Sequence, residues 1–189
     1  MKQLLLCLIL LSLGSCKKDD PDALPAATQV GANMGGYLLD GLAVRATGRP
    51  GYNGLLSSVN SIAPVAGEFL NDSMLCVQLC SIQNEQRYRL TLFVRYHGLG
   101  VYQFHEITPQ FGGASLSALR NHAFLYQDCS SYGCAVKSYI TDSLHTGTLT
   151  ITYINGSPGI VAGLFEFMAY DAYNKEIIKV SSGRFDLSE

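Results

Sequence analysis

Any acid–base, metal or triad chemistry in this chain must pass through its four histidines, His97, His105, His122 and His145. The nearest polar clusters around them are His105 with Glu106 and Asp142 with His145. Two metal ligands on one strand must stand two residues apart to share a face, and Glu106 follows His105 directly, so it points the other way. The histidines therefore read as turn or surface residues, and no metal or cofactor is expected. The chain has no Gly-x-Ser-x-Gly elbow, no His-Glu-x-x-His helix and no phosphate-cradling Gly-Lys-Ser loop. Glycoside hydrolysis needs two facing carboxylates, which could be drawn from Glu68, Glu106, Glu166 and Asp186, but sequence spacing cannot set two of them across one cleft. Glu166, between Phe165 and Phe167, reads as solvent-facing. Arg87, Arg89 and Arg95 share one face of a strand, read first as a solvated face and second as a contact for an anionic glycan. Tyr96, Tyr102, Tyr126, Tyr132, Tyr139, Tyr153, Tyr170 and Tyr173 could offer a sugar-stacking surface, though tyrosines in strands more often pack half-buried.

Six cysteines are present. In the run Cys129-Ser130-Ser131-Tyr132-Gly133-Cys134, turn-forming residues could bring two strand ends within disulfide reach, and a bond between Cys129 and Cys134 is expected. Cys76 and Cys80 fall on one face of a strand, and at about 3.3 Å per residue their Cα atoms stand roughly 13 Å apart, too far to bond. They are read as small buried hydrophobes. Neither pair has the two-residue spacing of a zinc knuckle.

The first fifteen residues divide into a basic start at Lys2, an apolar run over residues 4–11 and a small-residue end, the three parts of a secretory signal. A spanning helix needs about 20 apolar residues, and Gly14 and Ser15, then Lys17, Lys18, Asp19 and Asp20, cut the run short of that. Leu13-Gly14-Ser15-Cys16 resembles the lipobox read by bacterial lipoprotein-processing enzymes. By that resemblance Cys16 becomes the mature N-terminus, carrying diacylglycerol and a further acyl chain such as palmitate, and two or more chains make anchoring stable. Lys17, Lys18, Asp19 and Asp20 resemble the short acidic export signals that follow the lipidated cysteine in surface lipoproteins, so a sorting factor that carries the protein to the cell surface is expected. The periplasmic face is the alternative. Residues 16–33, with Pro21 and Pro25 and no apolar periodicity, read as a flexible lipidated tether ahead of a domain over residues 34–189.

Removing Lys2 with the signal leaves 12 basic residues against 15 acidic ones, too weak a balance to grip nucleic acid or anionic lipid. Hydrophobic residues at 48% and charged residues at 15% require a folded chain, and its ~170 mature residues suit one domain. A hairpin is expected around Asp40-Gly41. Residues 49–66 read as loop with one short strand at most. Strands are expected over 74–83 and 87–96, joined by Asn84-Glu85-Gln86, then over 100–105, 122–127, 135–140, 147–154, 160–170, 176–180 and 184–187. Ser181-Ser182-Gly183 separates the last two as a bulge or bend. Nine to eleven short strands with little helix describe an all-β fold, an antiparallel sandwich or barrel.

Three segments resemble a family of small all-β outer-membrane lipoproteins of Bacteroidota. They are Ala27-Thr28-Gln29-Val30-Gly31-Ala32-Asn33 with Gly36 and Asp40-Gly41, then Thr141-Asp142-Ser143-Leu144-His145-Thr146-Gly147-Thr148-Leu149-Thr150-Ile151-Thr152, and finally Ile160-Val161-Ala162-Gly163-Leu164-Phe165-Glu166-Phe167 with Gly183-Arg184-Phe185-Asp186. Residues 49–127 match only as a succession of strands. The resemblance implies location and an all-β fold, and it transfers no catalytic or binding residues. Function is thus read as non-catalytic binding or envelope assembly, with a glycan or an envelope protein as partner. A lipocalin-like holder of a small apolar ligand and a glycan hydrolase are the alternatives.

Overall fold

The computed structural model describes residues 24–48, 63–70, 73–108, 118–129, 135–156 and 159–188. Cys16, Lys17, Lys18, Asp19, Asp20 and Cys134, with the signal and its cleavage point, lie outside the described residues. Eleven strands are β1 (Met34–Leu39), β2 (Leu42–Arg45), β3 (Val65–Leu70), β4 (Met74–Gln83), β5 (Gln86–Arg95), β6 (Gly100–Phe104), β7 (His122–Cys129), β8 (Lys137–Ile140), β9 (Gly147–Gly156), β10 (Gly159–Asp171) and β11 (Glu176–Ser188). Every pairing between them is antiparallel, so the fold is all-β as expected.

Alternation makes these segments strands, and tight turns fix their register. Asp40 and Gly41 (φ 49° and 86°) and Asn84 and Glu85 (φ 50° and 65°) take the positive φ of primed turns, whose twist fits a two-residue hairpin. The expected three-residue connection at Asn84 is therefore one residue shorter, and Gln86 opens β5. The two expected C-terminal strands are a single strand of 13 residues. The bulge is real: Ser182 sits at φ 51°, and the register shifts opposite Phe165 and Phe167. An extra residue bends a strand without ending its ladder.

Nine strands form one path, β2-β1-β11-β10-β8-β7-β5-β4-β3, and β9 joins β10 on a branch carrying β6. Length lets β10 serve both neighbours, residues 159–167 pairing with β9 and Tyr170 with Ile140 of β8. The sheet curls until its ends meet. Thr47 and Gly48, just past β2, donate to the Cys80 carbonyl of β4 at 3.0 Å each, and a Cβ on Gly67 of β3 would run into Leu187 of β11.

Among the described residues the inward side chains pack together. Leu75, Val77 and Leu79 of β4 and Leu90, Leu92 and Val94 of β5 meet Tyr37, Tyr102, Phe104, Tyr139, Phe165 and Phe167, all buried. Burying each such side chain contributes about 1.5–3 kcal/mol. A smaller cluster, Met74, Cys76, Phe93 and Leu119, covers part of the opposite face of β4 and β5. Burial of Cys76 bears out its reading as a small hydrophobe and pushes its thiol up to about 12; Cys80 is only half-buried, and neither forms a disulfide.

Two expectations change here. The arginines of β5 do not form a simply solvated face: Arg87 makes a two-pronged pair with Asp128 at 2.7 Å, Arg89 lies 5.1 Å over the Tyr126 ring, and Arg95 donates to the Leu119 carbonyl. Residues 24–33, assigned by sequence to the flexible tether, are held on the domain. Buried Asp186 of β11 accepts from Thr28 Oγ1 (2.6 Å) and from the backbone N–H groups of Val30 (3.0 Å), Gly31 (2.8 Å) and Ala32 (3.2 Å), and Asn33 Oδ1 accepts from Ser188 N. A single buried carboxylate thus fastens the segment, a pairing between residues more than 150 positions apart that no local pattern announces.

Candidate functional site

None of the histidines joins a catalytic group among the described residues. His97 stacks on Tyr102 at 4.4 Å, and His145 stacks on Tyr170 at 5.0 Å while its Nδ1 lies 3.0 Å from Asp142. His122 is fully buried beside Phe93 with Nδ1 donating to the Arg120 carbonyl; burial, only partly offset by that bond, lowers its pKa. The four carboxylates considered for hydrolysis are scattered. Glu106 pairs with Arg120, Asp186 is saturated, Glu166 points out of β10 between buried phenylalanines, and Glu68 lies across from Cys76 on β3. Most of the singled-out tyrosines pack. Tyr102 and Tyr139 are core, Tyr96 stands edge-on to Phe69, and Tyr173 alone of the described ones is nearly bare at 91% exposure; Tyr132 lies outside the described residues.

Among the described residues, an open cleft of about 420 Å³ lies at the end of the curled sheet where the β1–β2, β4–β5 and β10–β11 turns gather. That volume falls in the ~300–1,000 Å³ range of small-molecule sites. One wall is aliphatic, from Leu39, Leu42, Val44, Ile177 and Ile178. The other is polar: Gln83, Asn84, Tyr88, Gln127, Lys137, Tyr139 and Glu176, with Asp40 at the rim.

Glu176 organises the polar wall. Its Oε2 accepts both from Lys137 Nζ (2.7 Å) and from the Tyr139 hydroxyl (2.8 Å). The Lys137 and Tyr139 bonds keep its carboxyl below the usual range, whereas burial, then the bond to Glu176, pushes the Tyr139 phenol well up. Both groups thus hold one protonation state around neutral pH, which suits positioning and recognition better than proton transfer. The cleft's pieces come from β1, β2, β4, the β4–β5 turn, β5, β7, β8 and β11, so only the curl of the sheet brings them together.

Asp171, behind this wall, holds the frame. Buried at 2% exposure, it accepts from Ser138 N (2.8 Å), Tyr173 N (2.9 Å), Asn174 N (3.0 Å) and Asn174 Nδ2 (2.7 Å), tying β8 to the β10–β11 turn. Burial alone would raise its pKa, and these bonds outweigh it to leave the carboxyl lowered.

Sequence reading singled out Tyr139 as one tyrosine among eight and missed Lys137, Glu176, Tyr88 and Gln127. Their only local signal is a polar residue beside a turn. Two shallower clefts of about 350 Å³ lie on the outer faces of β9, β10 and β11. Compared with family models, curated proteins and solved structures, the chain matches none of them.

Proposed function

We propose that this chain is a lipoprotein of the Bacteroidota outer membrane, anchored through Cys16 and displayed at the cell surface, whose domain binds a small polar ligand in the mouth cleft without transforming it. The observation that carries the binding reading is the contrast between an interior packed with aromatic side chains and an open cleft lined by hydrogen-bonding groups. A packed interior speaks against a lipocalin-like holder of apolar ligand, which needs its lumen free. Hydrolysis is the second reading, favoured by Asp40 and Glu176 lining one cleft. Against it, one Asp40 oxygen is already used by the Lys179 N–H at 2.8 Å, and the bonded Glu176 carboxyl is lowered, where a general acid needs to be raised.

Full-length protein, purified with its anchor in detergent, is offered neutral saccharides, short peptides and fatty acids in turn. One polar class binds at one per chain and is recovered chemically unchanged, and joint replacement Lys137→Met with Glu176→Gln weakens it at least tenfold. Turnover of the ligand would make the domain an enzyme, and equal binding by the double variant would move the site elsewhere. For location, protease added to intact cells digests the domain, and Cys16→Ser loses the lipid mass and membrane retention. Protection of the wild type until lysis would assign it to the periplasm.

A further inference from the structure

Beneath the cleft lies a layer of hydroxyls that the fold itself does not use. Tyr37 of β1 and Ser81 of β4 point into the interior at 1% and 4% exposure, and neither the Tyr37 hydroxyl nor Ser81 Oγ has a hydrogen-bond partner. Ser81 stands directly across the ladder from Tyr88, which lines the cleft, and Tyr88 also acts electrostatically on the Tyr37 hydroxyl. A Cβ on Gly35 would stand 2.9 Å from Leu79 Cδ2. Tyr37 and Ser81 each lie two residues further toward the mouth than that contact, so the three hydroxyl side chains share one level, with Leu39 and Gln83 of the cleft wall next above them. Buried polar groups are nearly always satisfied, because leaving one bare costs a full desolvation penalty. Two bare hydroxyls one level beneath the residues that line an open cleft, and covered by them, are therefore partners held in reserve.

Resting on the binding reading above, we propose that the cleft takes a neutral saccharide, and that one sugar hydroxyl passes Tyr88 to bond with Tyr37 and Ser81. Each sugar hydroxyl both donates and accepts, and so do the groups it would meet. Tyr37 and Ser81 offer hydroxyls, Tyr88 a half-buried phenol at the passage, Gln127 an amide, and Glu176 the oxygen that Lys137 and Tyr139 leave over. The ring's apolar face has Leu42 and Ile177 to lie on, both well exposed at the rim. Charge argues against an anionic ligand. Lys137 is already paired with Glu176 at 2.7 Å, and Asp40 adds a negative charge that repels anions.

Full-length protein in detergent is titrated with maltose, cellobiose and lactose, with glucuronate and glucosamine as charged comparisons, by saturation-transfer NMR and calorimetry. At least one neutral disaccharide binds at least tenfold more tightly than either charged sugar. Tyr37→Phe and Ser81→Ala each weaken it at least fivefold while leaving the melting temperature unchanged or higher, a combination that a purely structural role would not produce. Wild-type affinity in both floor variants, with loss only in Lys137→Met with Glu176→Gln, overturns the hydroxyl floor and leaves the cleft reading standing. Preference for a charged sugar, or binding of none of the five while a peptide binds in the cleft, overturns the saccharide assignment.

Discussion

The two ends of the curled sheet spend their polar groups differently. At one end Asp186 accepts four hydrogen bonds from residues 28–32 and keeps nothing for a ligand. At the other, Glu176 takes Lys137 and Tyr139 on a single oxygen, and the Tyr37 and Ser81 hydroxyls below it bond to nothing. Saturation marks a structural joint, whereas hydrogen-bonding capacity left over beside an open cleft marks a place for something else to bind.

The largest expected effect lies at the saturated end. Asp186→Ala removes the shared acceptor of three backbone N–H groups and the Thr28 hydroxyl, and at about 0.5–1.5 kcal/mol net for each of these part-buried bonds the loss is roughly 3 kcal/mol. Urea denaturation reads it directly, and a loss no greater than that of a surface change would remove Asp186 from its role as the joint.

Acid probes the same joint. Burial by itself would raise the Asp186 pKa, but the bonds from residues 28–32 outweigh it and leave the carboxyl below its ordinary 3.8, as happens at Asp171. A folded-state pKa below the unfolded one contributes stability above the unfolded value and loses it as pH falls through the folded one. Unfolding midpoints should therefore hold near pH 6 and decline from about pH 4 downward, and Asp186→Asn should flatten that decline. An unchanged decline in the variant would show that other carboxylates govern it.

At the mouth the expected stabilities are smaller. Cys129 ends β7 two residues beyond Gln127, and the proposed bond from it to Cys134 would staple the connection to β8 beside the cleft. So short a loop is worth about 2 kcal/mol by chain entropy, and comparing oxidised with reduced protein measures it. Thiol titration that finds both cysteines free in protein from the oxidising envelope would remove the staple. Smallest, and opposite in sign, Tyr37→Phe deletes a buried bare hydroxyl and should stabilise by about 1 kcal/mol. Destabilisation instead would mean that the hydroxyl already serves the fold.

The same division explains what the sequence could reveal. Strand 74–83, strand 86–95 to within one residue of its expected 87–96, and the Asp40-Gly41 turn are written in neighbouring residues, as alternation and as turn chemistry, and all were legible. Merging 176–180 with 184–187 was not, because Ser182 looks the same whether it ends a strand or bulges one. Asp186 closes the C-terminal segment Gly183-Arg184-Phe185-Asp186, but its partners at 28–32 are long-range and carry no pattern. The cleft is harder still, since Lys137, Glu176, Tyr88 and Tyr37 become neighbours only after the sheet curls.

The most direct measurement is an NMR map of amide and tyrosine resonances in full-length protein during titration with the neutral disaccharide that binds best. Shifts confined to Tyr37, Ser81, Tyr88, Gln127, Lys137, Tyr139 and Glu176, with Asp186 and residues 28–32 unmoved, are the predicted result. Shifts centred on residues 28–32 and Asp186, with the mouth silent, would contradict it.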